Sequence, residues 1–235
     1  MMSAAATKPS HAPKSSGMLI WRLFFGLFGL IAAGVIWFST ARPILVLPRI
    51  TLAPGFYLTD QTGERFSSEE LRGQITLYSF TYTGCADPCP QTSPVMAEVQ
   101  KRLSEVQSSV PLQLVTFSID PDNDSPERLL SFADEMGADP TVWHLVTGGA
   151  PQLKSVIGGG FSVYYKAQED GRFKLDPAFF LVDGSGVIRA EYLTDSPDID
   201  IILRDMGLLS AEVDHSEGLY RFAYEAAHLF SCYPR

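Results

Sequence analysis

The chain lacks what nucleic-acid binding needs. Its 235 residues carry a net charge of −9, and neutralising phosphates takes a basic surface. It has no long run of one charge sign and no internal repeat, which sets aside a charged interaction tail and a repeat array. Cysteine is scarce: there are 3, two of them close together and one near the C-terminus. That is not a disulfide framework, and the odd count leaves Cys232 without an obvious partner.

What is present is ordinary for a globular protein: 46% hydrophobic and 19% charged residues. Setting aside an N-terminal span and a C-terminal tail leaves roughly 160 residues, about one domain. A domain of that size buries a sizeable core without disulfide staples. Met18 to Phe38 is apolar, with one charge at Arg22. At about 1.5 Å per residue it crosses a hydrocarbon core of about 30 Å. Trp21 and Trp37 stand near its two ends, where aromatic belts form, and Arg22 can snorkel. A cleaved signal peptide has a shorter apolar region, about 7–15 residues, and a small-residue cleavage site. Ser39-Thr-Ala41 is a poor site, so the segment reads as an uncleaved transmembrane anchor. Lys8, Lys14 and Arg22 outweigh Arg42 and Arg49, which places the N-terminus in the cytoplasm. The expectation is a single-pass plasma-membrane protein with an extracytoplasmic domain, where paired cysteines can cycle through a disulfide. The reading divides the chain into a cytoplasmic segment 1–17, an anchor 18–38, an extended linker 39–54, a domain 55–209 and an amphipathic tail helix 210–235.

Within the domain, strands alternate with helices. Phe56 to Phe66 reads as a hairpin turned at Asp60-Gln-Thr-Gly63. Ser67-x-x-Glu70 resembles a capping box. Ile75 to Phe80 and Leu112 to Ile119 are apolar runs suited to buried strands, and Thr92 to Val106 has helical spacing. Ser125 and Pro126 open a helix reaching Met136. A short strand is expected at Val142 to Val146 and a helix at Ala150 to Ile157, broken by the glycines at 158–160. Further strands are expected at Phe161 to Tyr165, Ala178 to Val182 and Val187 to Tyr192, with a closing helix at Asp198 to Met206. This order predicts an α/β fold, a central mixed sheet flanked by helices.

Cys85 and Cys89 follow a strand and precede a helix. Both thiols then sit near a helix N-terminus, whose dipole favours the thiolate. A thiolate pair serves disulfide exchange or soft-metal binding. Two blander roles stay open: small buried hydrophobes, or a permanent structural disulfide over a loop too short to stabilise much.

The stretch Tyr82-Thr-Gly-Cys85-Ala-Asp-Pro-Cys89-Pro90 closely resembles the motif of the SCO/SenC family, with Asp87 on the family's inter-cysteine Asp. Ile119-Asp120-Pro121 with Asp124-Ser-Pro126-Glu127 resembles a second family block. The tracts around Trp143 and Thr147-Gly148, and from Gly160 to Tyr164, are similar to further ones. The resemblance covers roughly residues 50–208. It implies a thioredoxin-like fold and a copper chaperone or thiol reductase for the copper A centre of cytochrome c oxidase. By position, Cys85 and Cys89 would be the redox pair and two of the copper ligands, with Asp87, Pro90 and Pro177 beside them.

The family's third copper ligand is a His just before a strand ending in Asp-x-x-Gly. Here that text is Leu175-Asp176-Pro177-Ala178-Phe-Phe-Leu-Val-Asp183-Gly-Ser-Gly186, and Pro177 or Leu175 falls in the His slot. The segment instead resembles the Pro-x-Phe-Phe-Leu stretch of thioredoxin-like reductases. The 4 histidines are His11, before the span, then His144, His215 and His228. Of these, His144, His215 and His228 are the candidate replacements, with Cys232 four residues after His228 on one helical face. Three functions follow as expectations: a copper-handling and thiol-redox assembly factor, a thiol–disulfide oxidoreductase without copper, or an accessory subunit of a membrane electron-transfer complex. The expected partners are a respiratory oxidase subunit or other such complex, a thiol-redox protein and the membrane.

Overall fold

A computed structural model describes residues 16–41, 45–85, 89–90, 92–215 and 218–230. Two compact units divide the chain, residues 1–43 and 44–235. The first holds helix α1, Ser16–Ala41. Its stretch Met18–Trp37 has a mean hydropathy of 2.1 and no buried stretch. Among the described residues it is the one helix long and apolar enough to cross a membrane, a length and composition that fit an anchor or a signal sequence.

The second unit is built on one mixed sheet. Its strands are β1 (Thr51–Leu52), β2 (Tyr57–Asp60), β3 (Arg65–Ser67), β4 (Ile75–Thr81), β5 (Leu112–Ser118), β6 (Trp143–Thr147), β9 (Phe179–Val182) and β10 (Val187–Tyr192), in the order β1-β10-β9-β4-β5-β6-β2-β3. The β4–β5 and β5–β6 pairs are parallel and the others antiparallel. Strands β7 (Tyr165–Ala167) and β8 (Phe173–Leu175) form a separate hairpin. The helices are α2 (Thr92–Arg102), α3 (Pro126–Met136), α4 (Ala150–Leu153), α5 (Ile199–Asp214) and α6 (Gly218–Phe230).

Every residue of β4 is buried, as expected of a central strand covered on both faces. Alternation then sorts its side chains. Tyr78 and Phe80 join an aromatic cluster with Phe56, Phe117, Phe161 and Phe180. Ile75 and Leu77 face the opposite way, onto Met96 of α2, Leu129 of α3 and Met206 of α5. The capping box forms, with the Ser67 N–H donating to Glu70 Oε1 at 2.9 Å, and Ser125 caps α3 with Pro126 at its first position.

The structure departs from the sequence expectation in five places. The glycines at 158–160 do not break the helix; after α4 it widens into a π-helical segment, Lys154–Gly160. Phe161 to Tyr165 is not a strand. The Phe161 N–H donates back to Val156, Ser162 has φ 58° and the Val163 N–H donates to Ile157, so extended backbone begins only at Tyr165. Strand β8 was not foreseen; it is three residues beside a polar turn. Helix α5 runs past Met206 to Asp214, taking the first residues expected of a 210–235 tail helix, and α6 is a separate helix at Gly218–Phe230. Finally, part of the linker 39–54 belongs to the domain: Val46 and Leu47 are each 1% exposed, and β1 pairs with β10.

Candidate functional site

The site lies at the C-terminal end of β4. The chain leaves the strand at Tyr82 and turns, the Cys85 N–H donating to the Tyr82 carbonyl at 3.1 Å. Tyr82 is buried. Its hydroxyl accepts from the Phe173 N–H at 3.3 Å, and its ring stands edge-on to Phe173 at 5.2 Å. The turn residue Thr83 is tied to Asp124 across a separation of 41 residues: its N–H donates to Oδ2 at 3.0 Å and its hydroxyl to Oδ1 at 2.5 Å. Beyond the pair, the Thr92 hydroxyl at the start of α2 donates to the Phe80 carbonyl at 2.9 Å.

Cys85 and Cys89 are disulfide-bonded, with Cα atoms 5.5 Å apart, inside the usual disulfide range. Both are half-buried and pack against the aromatic cluster with Tyr165 and Phe173. A cleft of about 690 Å³ opens along the β7–β8 hairpin, lined by Ile119, Pro121, Lys154, Val163, Tyr165 and Phe173 among others. Pro90 is half-buried between Cys89 and α2. Pro177 precedes β9. The register pairs Ser79 with Phe179 and Leu77 with Leu181, so continuing it sets Pro177 opposite Thr81, at the cysteine end of the sheet. Asp87 lies outside the described residues.

The described histidines do not gather at this end. His144 is on β6, level with Val115 of β5, which is itself level with Tyr78 of β4. It stacks on Phe66 at 4.4 Å, and its Nδ1 has no hydrogen-bond partner among the described residues. Burial pushes its pKa below the usual histidine value, partly opposed by Asp60 and Glu70. His215 ends α5, its Nδ1 2.7 Å from the Ala211 carbonyl and its ring stacked on Tyr224. His228 Nε2 is 3.0 Å from Glu212 Oε1. Glu212 also binds Arg189 at 2.7 Å. Arg189 follows Ile188, whose strand partner Val182 pairs with Thr76, so this network sits at the opposite end of the sheet from the disulfide. Cys232 and His11 lie outside the described residues. Among the described residues no group of three or more His, Cys, Asp or Glu could hold a metal ion. Among the described residues, the side chains make a dithiol–disulfide pair and do not make the two-Cys, one-His copper site that the resemblance implies. Asp124 belongs to the second motif block, but its tie to Thr83 is a tertiary contact with no local spacing signal.

The SCO1/SenC family model matches residues 48–207. The chain belongs to the SCO1/SenC family. The SCO1 protein homolog of Bacillus subtilis (strain 168) is 28% identical over 151 residues, covering 63% of this chain and 77% of that protein. The structure of BsSco, a member of the Sco family of cytochrome c oxidase assembly proteins in which a disulfide switch was identified, superposes with a TM-score of 0.62 at 26% identity and covers 71% of this chain and 97% of BsSco. Arabidopsis thaliana ScoI, solved with copper bound, superposes with a TM-score of 0.58 at 24% identity, covering 66% of this chain and 98% of ScoI. The fold of this Sco-family chain is therefore thioredoxin-like, as the resemblance implies.

Proposed function

We propose that this Sco-family protein is a membrane-anchored thiol-redox factor in the assembly of a respiratory oxidase's copper A centre, working through Cys85 and Cys89. The observation that carries the reading is the half-buried Cys85–Cys89 disulfide at the end of β4, packed against the aromatic cluster. Family membership and the oxidase-assembly role stated for BsSco support the target. In this reading α1 is an uncleaved span, the N-terminus is cytoplasmic and the domain is extracytoplasmic, where a disulfide persists.

The chemistry balances as an exchange. A thiolate of the reduced pair attacks a target disulfide, forming a mixed disulfide and releasing one target thiolate. The second cysteine, as thiolate, attacks the mixed disulfide and releases the other. Two electrons pass to the target, its thiolates take up two protons, and the Cys85–Cys89 bond closes. A dithiol donor then restores the reduced pair. The aromatic cluster that holds Tyr82 backs the pair on its buried side, with Tyr165 and Phe173 packed on the same cluster.

Reduced protein mixed with an oxidised copper A domain should lose two thiols as the target gains two. Cys85→Ser should stop the net transfer. A reduced wild type that leaves the target oxidised would refute the proposal. Copper-handling is tested in the same preparation by Cu(I) titration: binding through two sulfurs alone would add a thiolate-only copper step, suited to a soft ion, and any nitrogen ligation would be traced by substituting His144, His215 and His228 in turn.

A further inference from the structure

We infer that Asp124 is a positioning residue for the Cys85–Cys89 pair: its buried carboxylate holds the turn carrying Cys85 where the disulfide closes, and so sets how readily the pair is reduced. The inference rests on reading the pair as a redox pair. Asp124 is 1% exposed. Among the described residues, every hydrogen-bond partner of its carboxylate is a donor. The Thr83 N–H reaches Oδ2 at 3.0 Å, the Thr83 hydroxyl reaches Oδ1 at 2.5 Å and the Ser118 hydroxyl reaches Oδ2 at 2.5 Å. Arg128 Nε donates to Thr83 Oγ1 at 2.6 Å, which directs the hydroxyl proton onto Asp124. The Asp124 N–H donates to the Asp120 carbonyl at 2.8 Å, fixing the loop it comes from. The site thus takes a group that only accepts, which an ionised carboxylate satisfies and an amide cannot.

The clamp acts on the segment that contains the disulfide. Thr83 is pinned to Asp124 two residues before Cys85. Thr92 is pinned to the Phe80 carbonyl three residues after Cys89. Pinning Thr83 and Thr92 limits how far Cys85 and Cys89 can separate once the S–S bond opens, which favours the disulfide over the open dithiol. Releasing one pin returns freedom chiefly to the dithiol form and makes reduction easier.

The test is equilibration of the full-length protein in detergent with dithiothreitol. Two electrons pass from dithiothreitol to the S–S bond of the pair, two protons end on Cys85 and Cys89, and dithiothreitol closes to its cyclic disulfide. The fraction of dithiol, read by thiol alkylation, gives the equilibrium constant. Asp124→Asn and Thr83→Val should each move that constant about tenfold toward the dithiol, about 30 mV in potential. Thr83→Ser, which keeps both donors, should recover the wild-type constant. If Asp124→Asn does not fold, the two Thr83 variants decide. Unshifted constants in Asp124→Asn and Thr83→Val, even with lowered unfolding stability, would show a merely structural role and overturn the inference. A wild-type pair inert to dithiothreitol would instead remove the redox reading itself.

Discussion

At the residue scale, Arg189 shows how a buried charge is tolerated. Its side chain is 2% exposed, and an unpaired charge there would be costly. It donates to the Leu47 and Pro48 carbonyls, to Asp183 at 3.0 Å and to Glu212 at 2.7 Å. Burial pushes the Glu212 carboxyl up, and the hydrogen bond and charge of Arg189, with His228 beside it, outweigh burial and hold it below the ordinary range. A carboxyl with a lowered folded pKa stabilises above its unfolded value and loses that contribution as pH falls through the folded one. Urea midpoints should therefore fall in acid below about pH 4.5, the ordinary value, and Glu212→Gln should flatten that slope. At neutral pH, Glu212→Ala should cost about 3 kcal/mol, the low end for breaking a buried pair, because Asp183 remains. An unchanged urea midpoint would count against the pairing. His144 adds a second acid-sensitive group. Its lowered pKa means the unfolded chain binds a proton first, so stability falls as pH drops from about 6.5 toward the folded value. His144→Asn should remove that part of the pH dependence and leave dithiothreitol equilibration of the cysteines unchanged.

At the element scale, the segment after α4 separates two uses of glycine. A Cβ on Gly158 or Gly159 would meet nothing within 4 Å, whereas one on Gly160 would lie 2.3 Å from Pro54 Cβ. Gly160 therefore lets the segment pass Pro54, and the other two need no such gap. Gly159→Ala should be neutral or gain up to about 1 kcal/mol from helix propensity. Gly160→Ala should destabilise, by about 2 kcal/mol if Pro54 cannot move. Equal melting temperatures for the two variants would refute the distinction. The same segment shows where sequence stops being legible. A Gly-Gly-Gly run reads as a break because isolated chains pay entropy there; packing of Leu153, Val156 and Ile157 into the aromatic cluster overrides that cost. By contrast β4, the Ser67–Glu70 box and the Ser125–Pro126 start of α3 were readable because their signals are local. Strand β8 was not, since three residues after the Asp170-Gly171 turn carry no period. For the site, Cys85, Cys89 and the missing histidine were plain in the motif, while the Thr83–Asp124 tie depended on β4 and β5 lying side by side.

At the scale of the whole molecule, the working domain is longer than its family signature. The matched segment is 48–207, yet Val46 and Leu47 are buried ahead of it and α5 continues beyond it to Asp214. The reason is the sheet's outer side: β1 covers β10, Leu47 joins the core against α5, and Arg189 needs the Leu47 and Pro48 carbonyls as acceptors. Two truncations test this. A chain of residues 44–235 keeps all of these contacts and should be soluble and cooperatively folded. A chain of residues 55–235 loses two fully buried side chains, together worth on the order of 4 kcal/mol, and leaves the Arg189 guanidinium short of two acceptors. That is a large share of a typical stability of about 5–15 kcal/mol, and it should lower the melting temperature by roughly 10 °C. The loss should appear equally with Cys85–Cys89 oxidised or reduced, because β1 lies at the far edge of the sheet order from β3 and pairs with the end of β10 remote from the cysteines. Coincident melting curves for the two truncations would mean that residues 46–52 are a free tether after all, and a difference confined to the reduced form would mean that they act on the disulfide and not on the core.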